Sequence, residues 1–132
     1  MPSFSARSIK ELQTCNPKLQ RLFNEVISHY DCTIICGFRG EQAQHEAFRS
    51  GRSKLDWPHG KHNRFPSMAV DVMPFPIRWN DENRLRHFIG FVQATAIQMG
   101  IKVRSGHDWD NDMDLDEHTF KDGPHWELIE DC

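Results

Sequence analysis

Apolar side chains recur at helical spacing in two long stretches of the chain. Behind Asn16-Pro17, a good cap and first turn for a helix, six apolar residues fall on one helical stripe: Leu19, Leu22, Phe23, Val26, Ile27 and Tyr30. A second stripe begins after Asn80-Asp81 and ends before Gly100: Leu85, Phe88, Ile89, Val92, Ala96 and Met99. The pattern predicts one helix from residue 17 and another over residues 82–99.

Shorter runs predict the remaining elements. Two short helices are expected over 8–14 and 41–49. Runs that are β-branched or alternate between apolar and polar predict strands over 33–36, 67–73, 101–104 and 126–129. Residues 51–66 carry several glycines and prolines and predict a long loop. The pattern favours an α+β fold, a small antiparallel sheet with two to three packed helices, in a single domain over residues 1–132.

Composition narrows the class of protein. The chain has 132 residues, of which 38% are hydrophobic and 27% charged, which is typical of a globular domain. No apolar run approaches the ~20 residues that span a bilayer, so we expect no membrane insertion. The N-terminal residues lack the pattern of a signal peptide, which predicts synthesis in a cytoplasm without an export signal.

The net charge of −3 hides an asymmetry. Residues 1–105 carry 15 basic and 9 acidic side chains, whereas residues 106–132 carry 1 basic and 10 acidic ones. The basic side chains form no cluster interleaved with aromatic residues, so nucleic-acid binding is not expected. The body of the chain instead favours an anionic polymer such as cell wall.

The four cysteines lie at positions 15, 32, 36 and 132, and no pair has C-x-x-C spacing. This argues against a structural zinc ribbon or a thioredoxin-like motif. The spacing of Cys32 and Cys36 in a strand predicts that both lie on one face. Small buried thiols in a reducing compartment are the favoured interpretation, and a disulfide or a metal-ligand role is the alternative.

Three side chains suggest a metal site. Asp71 lies in a predicted strand among apolar neighbours, where a carboxylate needs a cation or a hydrogen-bond network. His62 lies in the preceding loop, and His125 follows Asp122-Gly123-Pro124, which predicts a tight turn before the last strand. Two imidazoles and a carboxylate would leave one position of a tetrahedral zinc ion open, as in catalytic sites. Surface histidines, a salt-bridged Asp71 and a turn aspartate are the alternative.

Two segments carry a family resemblance. Residues 60–71 resemble the first zinc-binding motif of the D-Ala-D-Ala carboxypeptidase/L-alanyl-D-glutamate peptidase family of metallopeptidases, and residues 122–128 resemble its second. Gly37-Phe38-Arg39, with Gln42 and Gln44 in the helix that follows, resembles the arginine motif of the family. Residues 104–110 resemble the segment before the second zinc motif. The resemblance is greatest to the phage endolysin branch and covers residues 35–128.

The resemblance implies roles for five residues. His62, Asp71 and His125 would hold zinc at one edge of the sheet. Asp122 would be the general base that activates the attacking water, and Arg39 would stabilise the oxyanion of the substrate carbonyl. Many family members have serine where this chain has Gly60, and His59 is a possible substitute in substrate binding. Trp126 is a further candidate for substrate contact.

The implied function is that of a zinc-dependent peptidoglycan peptidase that cleaves the L-alanyl-D-glutamate bond of the peptide stem. A D,D-carboxypeptidase or dipeptidase on the same site is an alternative, and so is a non-catalytic zinc-stabilised binding module, which would not need Asp122. We expect a monomer with no separate cell-wall-binding domain. It would be made in the host cytoplasm and act on the wall after release through a membrane pore.

The acidic segment suggests a second metal. Its alternating carboxylates are typical of an oxygen-rich calcium loop, although the glycine of an EF-hand is missing. A solvated acidic loop is the alternative. The possible calcium ligands are Asp108, Asp110, Asp112 and Asp114.

Overall fold

The computed structural model describes residues 2–108 and 122–129, with Asp122 described by its backbone alone. Its elements are α1 (Ala6–Leu12), α2 (Pro17–Ile27), β1 (Cys32–Cys36), α3 (Glu41–Arg49), a 3₁₀ helix (Lys61–Asn63), β2 (Ala69–Pro74), α4 (Glu82–Met99), β3 (Val103–Gly106) and β4 (Asp122–Leu128). The four strands form one antiparallel sheet in the order β1-β2-β4-β3. The α+β class is confirmed, and the described residues contain four α-helices rather than two to three.

Helix α2 begins where the sequence predicts, and α4 both begins and ends there, whereas α2 ends at Ile27 although its apolar stripe continues to Tyr30. The side chain of Asn16 accepts a hydrogen bond from the backbone N–H of Lys18, at 2.9 Å, and caps α2. Asp81 caps α4 in the same way, accepting from the backbone N–H of Arg84 at 3.1 Å. Gly100 ends α4 with a φ of 70°, a left-handed conformation that glycine adopts without strain. Local chemistry therefore fixes these bounds.

One face of the sheet packs against α2 and α4 and forms the hydrophobic core. Most of each stripe is buried there, with Leu22, Phe23 and Phe88 fully inaccessible to solvent, whereas Met99 at the end of the second stripe is exposed. Val70 and Val72 of β2 meet them from the sheet, as alternation predicts. Among the described residues, no helix is both long and apolar enough to cross a membrane.

Trp126 belongs to this core, and its predicted contact with substrate is wrong. Its side chain is 0% exposed and packs edge-on against Phe23, with ring centroids 6.3 Å apart. Successive residues of a strand point to opposite faces. Because His125 points to the polar face of the sheet, Trp126 must point to the core.

The polar face of the sheet carries a transverse row of side chains at one level. Cys36 of β1 lies opposite Asp71 of β2, and Asp71 lies opposite His125 of β4. The pairing of β1 with β2 shifts by one residue between Ile34 and Cys36, which is a β-bulge. Cys32 and Ile34 therefore face the core while Cys36 faces away from it. The prediction that both cysteines share a face is wrong because of this bulge.

Strand β4 is longer than predicted. It begins at Asp122, which lies opposite Gly106 of β3, so Asp122-Gly123-Pro124 is extended and not a separate tight turn. The register of β3 with β4 shifts between Ser105 and Gly106. Pairing with β3 holds this segment extended, and the local sequence does not reveal that pairing.

Gly37, which follows β1, has no room for a side chain. A Cβ there would come closer than 3.0 Å to the Thr14 hydroxyl and to the Glu11 carbonyl oxygen. We expect Gly37→Ala to lower the free energy of unfolding by about 1–3 kcal/mol through overpacking. Gly90→Ala is the matched control, since nothing lies within 4 Å of its Cβ. That substitution in α4 should stabilise the protein by up to about 1 kcal/mol. Urea unfolding of both variants measures the difference, and equal effects would contradict the prediction.

Candidate metal centre

Three acceptor atoms from three separate segments converge on the polar face of the sheet. The Nε2 atom of His62 lies 3.2 Å from Oδ1 of Asp71 and 3.3 Å from Nδ1 of His125. Nδ1 of His125 lies 3.4 Å from the same Asp71 oxygen. All three residues are largely buried. The three atoms form a nearly equilateral triangle, which we call the donor triangle.

In each histidine, the ring nitrogen outside the triangle makes a hydrogen bond that determines the tautomer. Nδ1 of His62 donates a hydrogen bond to the carbonyl of Gly37, at 2.7 Å. Nε2 of His125 donates to Oε1 of Glu127, at 2.8 Å. Because a carbonyl and a carboxylate can only accept, the protons lie on these nitrogens, and the lone pairs of the neutral rings point into the triangle. Three mutually facing acceptors repel one another unless a positive charge joins them.

Asp71 has a different partner for each oxygen. Oδ1 faces the two histidines, while Oδ2 accepts from Nη2 of Arg39 at 3.3 Å. Nη1 of Arg39 donates to Oε1 of Gln44 at 3.1 Å, which holds the guanidinium beside the triangle. The side chain of Arg39 is 17% exposed, so part of it reaches solvent. Asp71 and Gln44 therefore set the orientation of Arg39.

His62 is held by a 3₁₀ helix inside the predicted loop. Asn63 stabilises that helix, because its Oδ1 accepts from the backbone N–H of Gly60 at 2.9 Å. Its Nδ2 donates to the carbonyl of Arg39 and to Oε1 of Gln44, both at 3.0 Å. A Cβ at Gly60 would lie 3.0 Å from Oδ1 of Asn63, so glycine at this position suits the turn. The loop is thus tied to the segment that carries Arg39.

Glu127 holds His125 in place and is itself held by Arg104 and Lys61. Oε1 accepts the hydrogen bond from Nε2 of His125. Oε2 accepts from Nη2 of Arg104 at 2.8 Å and lies 3.3 Å from Nζ of Lys61. Burial alone would raise the pKa of Glu127, but the hydrogen bonds from His125 and Arg104 lower it to about 2. A carboxylate that orients a histidine in this way is a regular companion of metal-binding histidines. Glu127 was not among the predicted site residues, although its place two residues after His125 puts both on one face.

The triangle attracts positive charge. Burial alone would lower the pKa of His62, but the Asp71 carboxylate raises it to about 10. Burial would raise the pKa of Asp71, yet the two histidines hold it far below its usual range. The pKa of His125 is raised as well, against the effect of burial, by its hydrogen bonds to Asp71 and Glu127. Without a cation, protons therefore occupy the cluster.

A divalent metal ion fits the same place. Ligands about 2.0–2.1 Å from a tetrahedral zinc ion lie about 3.3 Å from one another, and the edges of the triangle are 3.2, 3.3 and 3.4 Å. Cys36 lies beside the triangle, since its sulfur, one ring nitrogen of His62 and one carboxylate oxygen of Asp71 all lie within 4.8 Å of one another. The described residues thus contain a group that can hold a metal ion.

Comparison with known proteins shows the family of this chain. The family model described as phage L-alanyl-D-glutamate peptidase matches residues 2–129. The chain belongs to the phage L-alanyl-D-glutamate peptidase family. It is 30% identical to the L-alanyl-D-glutamate peptidase of Escherichia phage T5, over 96% of this chain and 97% of that protein. The predicted resemblance is therefore confirmed.

A solved structure supports the fold of this family member. The L-Ala D-Glu endopeptidase ChiX of Serratia marcescens matches with a TM-score of 0.76 and 25% sequence identity. The match covers 97% of this chain and 91% of that one. The α+β fold of this chain is therefore shared with a solved structure that is named as a peptidase.

The predicted site residues of this family member fall into three groups. His62, Asp71, His125 and Arg39 come together as described. His59 is exposed in the loop before the 3₁₀ helix, and its backbone N–H donates to Asp56 at 2.9 Å. Asp122 is at the start of β4, three residues before His125, and its side chain lies outside the described residues. The ligand and base roles stay predictions.

Two predicted features of the site need correction. The triangle is not at an edge of the sheet, because Asp71 and His125 lie on the two central strands. Asp108 is not an exposed calcium ligand, since it is 0% exposed and its Oδ2 accepts from Nε2 of Gln93 at 3.0 Å. The other possible calcium ligands, Asp110, Asp112 and Asp114, lie outside the described residues.

Removing the charge of Glu127 should weaken metal binding. Glu127→Gln keeps the size of the side chain but loses its ionic contacts, so we expect about a 10–100-fold loss of zinc affinity. The change should also reduce stability above pH ~4.5, the usual pKa of a glutamate. That loss should disappear as the pH falls through about 2, where Glu127 of the folded protein becomes protonated. Competition with a chromophoric chelator measures the affinity, and denaturant unfolding across pH measures the stability.

The matched control for this change is Glu25→Gln. Glu25 also accepts from a histidine, Nε2 of His29 at 3.2 Å, but both side chains are more than half exposed. The Glu25→Gln substitution should leave zinc affinity unchanged and should alter the free energy of unfolding by no more than a few tenths of a kcal/mol. Equal zinc affinity in the two variants would show that Glu127 does not act on the triangle.

Proposed function

We propose that this protein is a zinc-dependent endopeptidase that cleaves the L-alanyl-D-glutamate bond in the peptide stem of bacterial peptidoglycan. The observation that carries the proposal is the donor triangle. Two imidazole lone pairs and one carboxylate oxygen face a single point, 3.2–3.4 Å apart, in a chain that belongs to a peptidase family. Three protein ligands leave a fourth position free, which is the arrangement of catalytic zinc sites.

His62, Asp71 and His125 would hold the ion. Zinc bound there would supply Lewis-acid chemistry, polarising the substrate carbonyl and making water a better nucleophile near neutral pH. The protein's own contribution is to hold three ligands rigidly and to keep both rings in the tautomer that leaves a lone pair free. Gly37 and Glu127 do this through the hydrogen bonds described above.

Asp122 would transfer the proton of the attacking water, and Arg39 would stabilise the negative charge on the substrate carbonyl oxygen. We assign Asp122 as the general base, which takes a proton from the attacking water and returns it to the leaving amine of D-glutamate. We assign Arg39 to the developing oxyanion, because its guanidinium is already fixed next to Asp71 and its side chain is partly exposed. A guanidinium fixed before the reaction needs little reorganisation as negative charge develops.

The names of the two relatives favour this bond over a D,D-carboxypeptidase substrate. Both the phage T5 protein and ChiX are named for the L-alanyl-D-glutamate linkage. We further propose that the cell wall of a bacterial host is the place of action, reached through a membrane pore that another protein forms.

Digestion of purified peptidoglycan tests the proposal. Mass spectrometry should find fragments with a new amino group on D-glutamate and a free carboxyl group on L-alanine. A chelator should abolish them, and added zinc should restore them. Loss of a terminal D-alanine alone would support the D,D-carboxypeptidase instead. Intact stems after digestion with zinc-loaded protein would contradict any peptidase activity on this substrate.

A further inference from the structure

Cys36 is the one cysteine of the described residues that lies on the same face as the donor triangle. The β-bulge in β1 turns it away from the core and sets it opposite Asp71. Without the bulge, strand alternation would place Cys36 beside Cys32 and Ile34 in the core. The β-bulge therefore places the thiol of Cys36 next to the candidate metal centre.

The sulfur is close enough to share a metal with two members of the triangle. Sγ of Cys36, one ring nitrogen of His62 and one carboxylate oxygen of Asp71 all lie within 4.8 Å of one another. Around a tetrahedral zinc ion, with Zn–S about 2.3 Å and Zn–N about 2.0–2.1 Å, sulfur and nitrogen ligands lie about 3.6 Å apart. A separation of at most 4.8 Å exceeds this spacing by at most about 1 Å, and a rotation of the Cys36 side chain can cover that distance.

The thiol makes a weak hydrogen bond to the backbone. It donates to the carbonyl of Gly37 at 3.6 Å, and the same oxygen already accepts from Nδ1 of His62 at 2.7 Å. A thiol is a poor hydrogen-bond donor, so leaving this contact costs little. Cys36 is also only partly buried, unlike Cys15 and Cys32, whose pKa values burial raises to about 12.

We propose that Cys36 is a fourth protein ligand of the metal in the resting protein. The donor set would then be one sulfur, two nitrogens and one oxygen, and metal uptake would release the thiol proton to solvent. Catalysis would need the thiolate to leave or the ion to accept a fifth ligand. A thiolate favours softer ions such as zinc and cadmium over magnesium and manganese. This inference rests on the proposed metal centre and adds a ligand to it.

Cobalt substitution tests the inference with a readout that does not depend on activity. Metal-stripped protein is reloaded with Co²⁺, and its absorption spectrum is recorded. A cobalt-bound thiolate gives a charge-transfer band in the near ultraviolet, while nitrogen and oxygen ligands give only the visible bands of the ion. We expect the near-ultraviolet band in the wild type and its loss in both Cys36→Ser and Cys36→Ala. Circular dichroism shows whether each variant is folded.

Cys32→Ala is the matched control, since it removes a cysteine of the same strand from the opposite face. It should keep the near-ultraviolet band. Cadmium affinity should fall by at least about tenfold in the two Cys36 variants and stay unchanged in the control, because the thiolate is the softest donor.

Three results would overturn the inference. Visible cobalt bands without the near-ultraviolet band in the wild type would remove Cys36 from the donor set and leave the proposed peptidase intact. A band that survives in both Cys36 variants would come from another cysteine. Absence of any cobalt bands would overturn the metal centre and with it the proposed function.

Discussion

Alanine in place of His62 should remove both the bound metal and the peptidase activity. The substitution deletes one vertex of the donor triangle and leaves two ligands, too few for a tight zinc site. We expect zinc affinity to fall by much more than the 10–100-fold typical of a lost supporting contact. Hydrolysis of peptidoglycan should fall below detection, because the Lewis acid and the activated water are lost together.

The same variant should also be less stable. His62 is 4% exposed, and its loss removes the shortest hydrogen bond to the Gly37 carbonyl and one of the neighbours that stabilise the charge of Asp71. Removing one partner from a buried charged group costs about 3–5 kcal/mol. We expect a smaller loss, about 2–3 kcal/mol, because Arg39 and His125 still face Asp71. Metal analysis of the purified protein, loss of turbidity of a peptidoglycan suspension and denaturant unfolding measure the three effects.

His29→Ala is the control for His62→Ala. His29 is also a histidine paired with a carboxylate, but 61% of its side chain is exposed and it lies at the end of α2. It should keep its zinc, its activity and its stability to within about 0.5 kcal/mol. A His62→Ala protein that binds zinc as tightly as this control would refute the ligand assignment.

Asparagine in place of Asp122 should also abolish turnover, but the protein should keep its metal. The amide has the shape of the carboxylate but cannot take a proton from water. General bases contribute about 10²–10⁴-fold to rate, so we expect kcat to fall by that factor. Zinc content and the midpoint of unfolding should stay near those of the wild type, since the donor triangle does not include Asp122.

The control for Asp122→Asn is Asp31→Asn, which changes a carboxylate just before β1. It should leave kcat unchanged. The decisive comparison is the ratio of kcat to bound zinc on a defined peptidoglycan fragment. Full turnover in Asp122→Asn would move the base to another residue, and loss of zinc in that variant would make Asp122 a ligand instead.

The sequence predicted those features that depend on neighbouring residues. The start of α2 follows from its capping residue Asn16. The start and the end of α4 follow from Asp81 and Gly100. The choice of His62, Asp71 and His125 followed from the unexplained carboxylate in a strand and from two motifs. Their meeting in space agrees with that choice.

The features that the sequence did not predict depend on strand pairing. Trp126 looked available to substrate because its face could not be known before β4 was paired with β2 and β3. Cys36 was assigned to the wrong face because nothing in residues 32–36 signals a bulge against Asp71. Glu127 was overlooked because its role needs Arg104, from another strand, to hold its charge. Pairing between segments distant in sequence is the information that local patterns lack.

The proposed metal would also contribute to the stability of the fold. The two histidines of the donor triangle are 63 positions apart in the chain, so their nitrogens meet only after β2 and β4 have paired. An unfolded chain offers no equivalent site, and a metal that binds only the native state shifts the folding equilibrium by mass action. Above the dissociation constant, each tenfold rise in free zinc should add about 1.4 kcal/mol to the free energy of unfolding. Under the proposed function, the concentration of free zinc in the surrounding solution would therefore help to determine how long the protein stays folded.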